Sequence, residues 1–220
     1  MKYKCLILDH DDTSVRSTKE IHHPAHVETI KRMRPGTRAV DLDTWFLKNF
    51  NPGIMEFLTD ELGFSEEEMK EEFAIWHEFN KASVPHFFDG IIELIKDFQG
   101  RGGIVAVVSH SEAGMIKQHY KVNGRSVMPD MIFGWDDDPS KRKPAIWPVE
   151  QIKSKYGFAP EDILMVDDLK PGLIMAKNAS VPIAGAGWGH SIPEIESYMR
   201  EHCDYYFSSV SELSALLKDY

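Results

Sequence analysis

The chain has 220 residues, of which 42% are hydrophobic and 27% are charged, as in one globular domain or a core with a small insertion. Its net charge of −10 argues against nucleic acid or an anionic membrane surface as a partner, because both attract concentrated Lys and Arg. Its apolar runs are too short for a membrane-spanning helix or a signal peptide, so we expect a soluble, cytoplasmic protein.

The first predicted element is a short apolar strand at residues 4–9, and it ends in a cluster of carboxylates. The run has no helical period, which favours a strand buried on both faces. Asp9, Asp11 and Asp12 repel one another, and such crowding is tolerated best beside a metal ion or a positive ligand. Ligands of open α/β sheets bind beyond the carboxyl ends of the strands, so this segment predicts a metal-dependent active site.

Residues 16–86 contain no convincing strand and are predicted to form a helical insertion, a cap over the sheet edge. The alternative is that they are ordinary crossover helices of the core. The predicted helices, separated by Pro-Gly breaks, are 18–33, 41–50, 53–62 and 65–82.

Two features of this insertion lead to specific expectations. Ser65 and Glu68 have the spacing of a capping box at the start of the last helix. The inward face of that helix is predicted to contain Met69, Phe73, Trp76 and Asn80. A histidine cluster near the start of the insertion is expected to be a solvated helix start or a substrate contact, with a metal site as the weaker alternative: His22, His23 and His26.

Strands and helices alternate in the rest of the chain. The predicted strands are 103–109, 131–134, 162–167, 181–186 and 204–207. The predicted helices are 89–99, 112–122, 145–157, 171–179, 191–202 and 211–218. This alternation is typical of an α/β fold with a Rossmann-like parallel sheet flanked by helices. Right-handed crossovers then bring the carboxyl ends of all the strands to one edge.

Two polar segments follow the first and second of these five strands. Ser109 closes a buried strand, where its hydroxyl and the amide of His110 suit an anion; the alternative is a helix N-cap. Lys143 precedes Pro144, which suits a first helical position and would place the lysine at a helix N-terminus beside an anion. The acidic run at 136–138 is expected to be a solvated turn.

The predicted strand at 162–167 also ends in paired acids, Asp167 and Asp168. Mg²⁺ prefers hard carboxylate oxygens and keeps several waters. One or two acids from this strand end, facing Asp9 and Asp11, would form such a site.

With these four segments in this order, the chain resembles the haloacid dehalogenase superfamily of hydrolases. It is most similar to the branch with a helical cap after the first strand, which includes phosphoglycolate-phosphatase-like and β-phosphoglucomutase-like proteins. The resemblance covers nearly the whole chain and is strongest at 1–15 and 87–188. It implies an α/β core of residues 1–15 and 87–220 and a cap of residues 16–86.

The resemblance also implies roles for individual residues. Asp9 matches the nucleophile that forms an aspartyl-phosphate, and Asp11 matches the general acid and base. Ser109 and Lys143 match the phosphate-binding pair. Two further residues of the phosphate site are expected to be Thr13, which would also stabilise the turn and orient the first acid, and His110. Mg²⁺ is the implied cofactor, and its expected ligands are Asp9, the carbonyl of Asp11, Asp167 and Asp168.

Two residues depart from the family pattern. Asp12 stands where glycine is usual, and it brings a third charge near the phosphate pocket. Ser14 stands where leucine or a similar residue is usual. The presence of Asp11 argues against dehalogenase chemistry, which needs no leaving-group acid of this kind.

The predicted function is therefore a Mg²⁺-dependent phosphatase that hydrolyses a small phosphorylated metabolite and acts as a monomer or homodimer. A phosphomutase like β-phosphoglucomutase is one alternative, because it uses the same aspartyl-phosphate. A non-catalytic phosphate-binding regulatory protein of the same fold is the other, and Asp12 is the reason to consider it.

Overall fold

The computed structural model describes residues 2–135 and 138–218, and within them six strands form one parallel sheet. In chain order the strands are β1 (Cys5–Leu8), β2 (Ile104–Val108), β3 (Met131–Phe133), β4 (Ile163–Asp167), β5 (Ile183–Ala186) and β6 (Tyr205–Phe207). Each strand lies within its predicted range, and the prediction of a Rossmann-like α/β fold is confirmed. Asp136 and Asp137 of the predicted acidic turn lie outside the described residues.

The spatial order of the strands is β3-β2-β1-β4-β5-β6, which places β1 at the centre of the sheet. Leu8 is in register with Val107 of β2 and with Val166 of β4. The amide of Asp9 continues this ladder by donating to the carbonyl oxygen of Val166 at 2.9 Å. Asp9 therefore leaves the sheet beside Asp167, the last residue of β4.

The chain divides into two compact units. One contains the sheet and comprises the chain up to Arg16 and again from His86; the other is Ser17–Pro85. The α-helices of the second unit are α1 (His23–Met33), α2 (Leu42–Phe50), α3 (Ile54–Glu56) and α4 (Glu66–Ala82). π-Helical turns precede α1 at Thr18–His22 and follow α3 at Phe57–Glu61.

The sheet unit adds six α-helices within its described residues. They are α5 (Ile91–Gly100), α6 (Ala113–Asn123), α7 (Trp147–Tyr156), α8 (Lys170–Ala179), α9 (Pro193–His202) and α10 (Val210–Lys218). Leu6 and Leu8 of β1 pack in one apolar core with Ile95 and Phe98 of α5 and Ile116 of α6. Burying such side chains stabilises the fold by about 1.5–3 kcal/mol each. Among the described helices, none combines the length and apolarity needed to cross a bilayer.

Helix α4 begins with the predicted capping box, but the prediction of its inward face is wrong in part. Ser65 and Glu68 each accept the hydrogen bond expected of that motif. Phe73 is 41% exposed, whereas Ile75 is only 2% exposed. The buried stripe of α4 runs through Ile75 and the half-buried Glu72, so that Phe73 lies at its edge and stacks on the ring of Trp76.

The histidine cluster of the helical unit is not a solvated helix start, contrary to expectation. His26 is 2% exposed, and its ring centroid lies 4.3 Å from that of Trp45. His22 accepts a hydrogen bond from the indole nitrogen of Trp76, and His23 bonds to the carbonyl oxygen of Val40. The helix buries these rings because aromatic side chains of the same unit surround them.

The buried ring of His26 predicts a pH-dependent stability. Burial, with a smaller effect of His23, lowers the pKa of His26 to about 4. As the pH falls below about 6.5, His26 binds a proton in the unfolded chain but not yet in the folded protein. The free energy of unfolding is therefore level above that pH and decreases towards pH 4. In urea unfolding, we expect His26 to account for a loss of about 2–3 kcal/mol between pH 7.5 and 4.5, which His26→Phe removes. The exposed His202→Phe is the control, and an equal loss in all three proteins would contradict the prediction.

Candidate active site

A buried lysine joins the ends of β1 and β4. The ammonium group of Lys143 donates to Asp9 Oδ1 at 2.6 Å and to Asp167 Oδ2 at 2.8 Å. The side chains of Lys143, Asp9 and Asp167 are 4%, 7% and 1% exposed. Burial alone would lower the pKa of Lys143, but the carboxylates of Asp167 and Asp9 outweigh it and raise that pKa, so the lysine stays charged.

Lys143 reaches this position without the predicted helix N-terminus. Helix α7 begins at Trp147, not at Pro144, and Pro148 occupies its first turn. The amide of Ala145 donates to the carbonyl oxygen of Arg142 at 2.7 Å, so a turn holds this segment in front of the helix. The ammonium group is therefore positioned by two carboxylates and by this turn.

Three carboxylates converge at the same edge. One oxygen from each of Asp9, Asp167 and Asp168 lies within 4.8 Å of the others. Burial, together with the nearby charges of Asp167 and Asp9, raises the pKa of Asp168 well above its ordinary value. Burial also raises the pKa of Asp9, against the opposing effect of Lys143. A single ammonium group does not neutralise three carboxylates, so this edge favours one additional cation.

The donor set fits a hard divalent cation. Asp168 Oδ1 accepts the hydroxyl of Thr13 at 3.1 Å. The buried Asp168 Oδ2 has no hydrogen-bond partner among the described residues, and the ring nitrogen Nε2 of His190 lies 3.6 Å from it. A buried carboxylate oxygen without a hydrogen bond, close to two further carboxylates, is a donor set that suits Mg²⁺ or a similar hard ion.

Gly172 allows Asp167 to take its place in the cluster. A Cβ atom at Gly172 would lie 2.0 Å from Asp167 Oδ2, which no side chain could tolerate. The amide of Leu169 also donates to Asp167 Oδ1 at 2.9 Å. The start of α8 therefore holds this carboxylate closely, a role of Gly172 that sequence analysis did not recognise.

Asp11 is held by two serines that follow β2. Ser109 and Ser111 donate their hydroxyls to Asp11 Oδ2 at 2.9 and 2.8 Å, and the amide of Ser111 donates to Ser109 Oγ at 2.9 Å. Ser109 is not a helix N-cap, because α6 begins at Ala113 after Glu112. Sequence analysis missed Ser111, which lies beyond the end of β2.

The remaining predicted residues lie around this network. Thr13 contacts Asp168 and not Asp9; the hydroxyl of Ser14 instead donates to the carbonyl oxygen of Asp9 at 2.7 Å. His110 is exposed, and its Nε2 shares a hydrogen bond of 2.9 Å with the carbonyl oxygen of Lys143. The structure thus brings all eight predicted site residues to the carboxyl edge of β1, β2 and β4.

Asp12 occupies a backbone conformation that favours glycine. Its φ is 56°, and the residue is 4% exposed. Its amide donates to the carbonyl oxygen of Val15 at 2.7 Å, which closes the turn after β1. Asp and Asn tolerate this left-handed region better than most residues, so the turn forms despite the substitution.

Asp12→Gly is expected to keep or raise the activity of this site. Glycine adopts a φ of 56° without strain. The substitution also removes the charge of Asp12, which raises the pKa of Asp168 less than burial and the charges of Asp167 and Asp9 do. We expect unfolding free energy to change by no more than about 1 kcal/mol. Asp12→Asn separates the charge effect from the backbone effect. The activities of the wild type, Asp12→Gly and Asp12→Asn are compared by steady-state kinetics. A collapse of turnover in Asp12→Gly would show that Asp12 has a role of its own.

Comparison with known proteins agrees with this geometry. The family model described as haloacid dehalogenase-like hydrolase matches residues 6–186. Phosphoglycolate phosphatase of Haemophilus influenzae is 24% identical over 152 residues, which cover 68% of this chain and 66% of that protein. Pyrophosphatase PpaX of Bacillus pumilus is 25% identical over 130 residues, or 59% of each protein. The chain thus spans about two thirds or less of the length of these relatives.

Solved structures show the same fold over nearly the whole chain. A haloacid dehalogenase-like family hydrolase of Streptococcus pneumoniae has a TM-score of 0.77 at 19% identity and covers 98% of each chain. CbbY of Rhodobacter sphaeroides, solved as a mutant in complex with xylulose-(1,5)-bisphosphate, has a TM-score of 0.70 at 17% identity and covers 96% of each chain. With the family model matched from β1 to β5, the chain belongs to the haloacid dehalogenase-like hydrolases, as predicted.

Proposed function

We propose that this protein is a Mg²⁺-dependent phosphatase that hydrolyses a small phosphorylated metabolite through an aspartyl-phosphate on Asp9. The observation that carries the proposal is the buried cluster of Asp9, Asp167 and Asp168 around Lys143. Asp11, two residues from the nucleophile, supplies a second carboxyl group. The relatives named as phosphoglycolate phosphatase and pyrophosphatase support a phosphatase.

The metal ligands we propose are the side chains of Asp9, Asp167 and Asp168 and the main-chain carbonyl of Asp11. When bound, Mg²⁺ would reduce the repulsion between a carboxylate nucleophile and a phosphate dianion and hold a phosphoryl oxygen in line. Lys143, already paired with Asp9, offsets further negative charge of the transferring group. The hydroxyls of Ser109 and Thr13 and the amide of His110 complete the phosphate site.

The chemistry divides between the two aspartates after β1. A carboxylate oxygen of Asp9 forms a bond to phosphorus as the bond to the leaving oxygen breaks, and Asp11 gives its proton to that oxygen. Asp11 then takes a proton from water, whose oxygen bonds to phosphorus and releases Asp9. Ser111 holds Asp11 Oδ2 throughout, which fixes the direction of both proton transfers, while the hydroxyl of Ser109 turns from Asp11 Oδ2 to the phosphoryl group when substrate binds.

We propose a cap role for residues 16–86. In this role the helical unit excludes water during the first transfer and selects the leaving group.

Metal removal tests the proposed function. We expect the protein to release phosphate from p-nitrophenyl phosphate with Mg²⁺, to lose this activity with a chelator and to regain it when Mg²⁺ is restored. Mg²⁺ should also raise the melting temperature, because it binds the folded state and offsets the repulsion of the buried acids. No release by the wild-type protein with Mg²⁺ would refute the phosphatase. Phosphorus NMR on a hexose 1-phosphate distinguishes a mutase, which would interconvert the isomers without free phosphate.

A further inference from the structure

A buried pair of histidines begins at the residue that follows the proposed nucleophile. His10 stands between Asp9 and Asp11, and its Nε2 is 3.0 Å from Nδ1 of His119 on α6. His10 is 0% and His119 3% exposed, and the angle between the two ring planes is 21°. One nitrogen must donate and the other accept, so the contact is directional. The mechanism described above uses neither ring.

The main chain of His10 is held as firmly as its ring. The amides of Ser14 and Val15 both donate to its carbonyl oxygen, each at 2.9 Å. The ring of His10 packs near Phe87 and Tyr120, whereas Asp9 bonds to Lys143 and Asp11 bonds to Ser109 and Ser111. His10 is therefore held at both its ring and its carbonyl oxygen, while its two neighbours carry the reacting groups.

The aromatic rings around the histidine pair shield its hydrogen bond from water. The rings of Tyr120 and Phe87 lie 5.9 and 6.4 Å from the ring of His10 and help to exclude water. In such a site a polar contact fixes one orientation, because a ring nitrogen that loses its partner is left desolvated. Two apolar side chains would fill the same volume without this constraint, so filling the core does not require a histidine pair.

We propose that His119 is a positioning residue for the Asp9–Asp11 segment, which it holds through the ring of His10. The inference rests on the proposed function, in which Asp9 and Asp11 are the reacting groups and metal ligands. Displacement of such a segment by 1 Å or less lowers turnover and metal affinity, because both depend on the alignment of the carboxylates.

Three variants and a control test this role. His119→Asn keeps a polar atom at the place of Nδ1, His119→Leu leaves His10 without that partner, and His10→Leu with His119→Leu replaces the pair by apolar side chains. Ile116→Val, a buried change on the same helix, is the control for lost packing. The readouts are kcat and KM for p-nitrophenyl phosphate, Mg²⁺ affinity by titration calorimetry and melting temperature.

We expect His119→Leu to lower kcat and Mg²⁺ affinity by about 10- to 100-fold, and His119→Asn to stay within about threefold of wild type. The double variant should regain much of the melting temperature but not kcat or Mg²⁺ affinity. A double variant with wild-type kcat and Mg²⁺ affinity, or an Asn variant as impaired as the Leu variant, would overturn the inference. If the wild-type protein released no phosphate, the proposed function would be refuted instead. The role of His119 would still be decided by Mg²⁺ affinity: a lower affinity in His119→Leu would support it, and an unchanged affinity would contradict it.

Discussion

Asp9→Asn is expected to lower phosphate release by more than about 10³-fold and to leave the fold intact. The amide has the shape of the carboxylate but cannot attack phosphorus. Lys143 keeps its ion pair of 2.8 Å with Asp167, so no buried cation is left alone. The loss of one of three clustered carboxylates also relieves repulsion. Initial rates with p-nitrophenyl phosphate and Mg²⁺, together with the melting temperature, measure both parts of the prediction.

The control for this substitution is Asp97→Asn, the same chemical change in an exposed side chain of α5. It should leave turnover and melting temperature close to wild type, because surface ion pairs contribute only about 0–1 kcal/mol. If Asp9→Asn retained turnover near the wild-type rate, another group would have to be the nucleophile. If wild type and variant were both inactive while phosphate still bound, the regulatory alternative would be favoured.

Lys143→Ala is expected to impair both stability and turnover. It removes the ammonium group that contacts Asp9 and Asp167, and these two carboxylates then remain buried without it. Removing one partner of such a pair costs about 3–5 kcal/mol of unfolding free energy. Turnover should fall by about 10²- to 10³-fold, because the charge opposite the transferring group is lost. Urea unfolding and steady-state kinetics provide the two measurements.

Mg²⁺ should offset part of the stability loss in Lys143→Ala, since it binds the same carboxylates. Lys141→Ala is the matched control, because this nearby lysine lies over the ring of Trp147, 4.9 Å from its centroid. It should cost no more than about 1 kcal/mol and leave kcat unchanged. If the Lys143 variant were as stable and active as the Lys141 variant, the ion pairs at the strand ends would carry neither stability nor catalysis.

The sheet was predictable because its strands are local and apolar. β1 and β4 are wholly buried four- and five-residue segments without helical period, and turn residues bound them. Their common carboxyl edge follows from parallel pairing with right-handed crossovers, which needs no knowledge of side-chain contacts. The helices of Ser17–Pro85 were equally predictable, from their capping residues and the Pro-Gly breaks between them. The exposure of Phe73 was not, because it depends on the rotation of α4 about its own axis.

The residues of the site were predictable as a set, but the contacts between their side chains were not. Ser111 was missed because nothing in its local sequence distinguishes it from a solvated serine after a strand. Lys143 was expected at a helix N-terminus, yet α7 begins at Trp147 and the ammonium group is held by carboxylates instead. His10 and His119 are 109 positions apart, and no periodicity links them.

The sequence by itself determined the order of elements, the parallel sheet and the edge at which the acids gather, because hydrophobic period and turn chemistry act over a few residues. The tertiary structure alone decided which side chains meet there: Lys143 with Asp9 and Asp167, Ser111 with Asp11, and His119 with His10. Such contacts depend on differences of about 1 Å in how packed helices and strands orient their side chains, and local sequence does not encode those orientations.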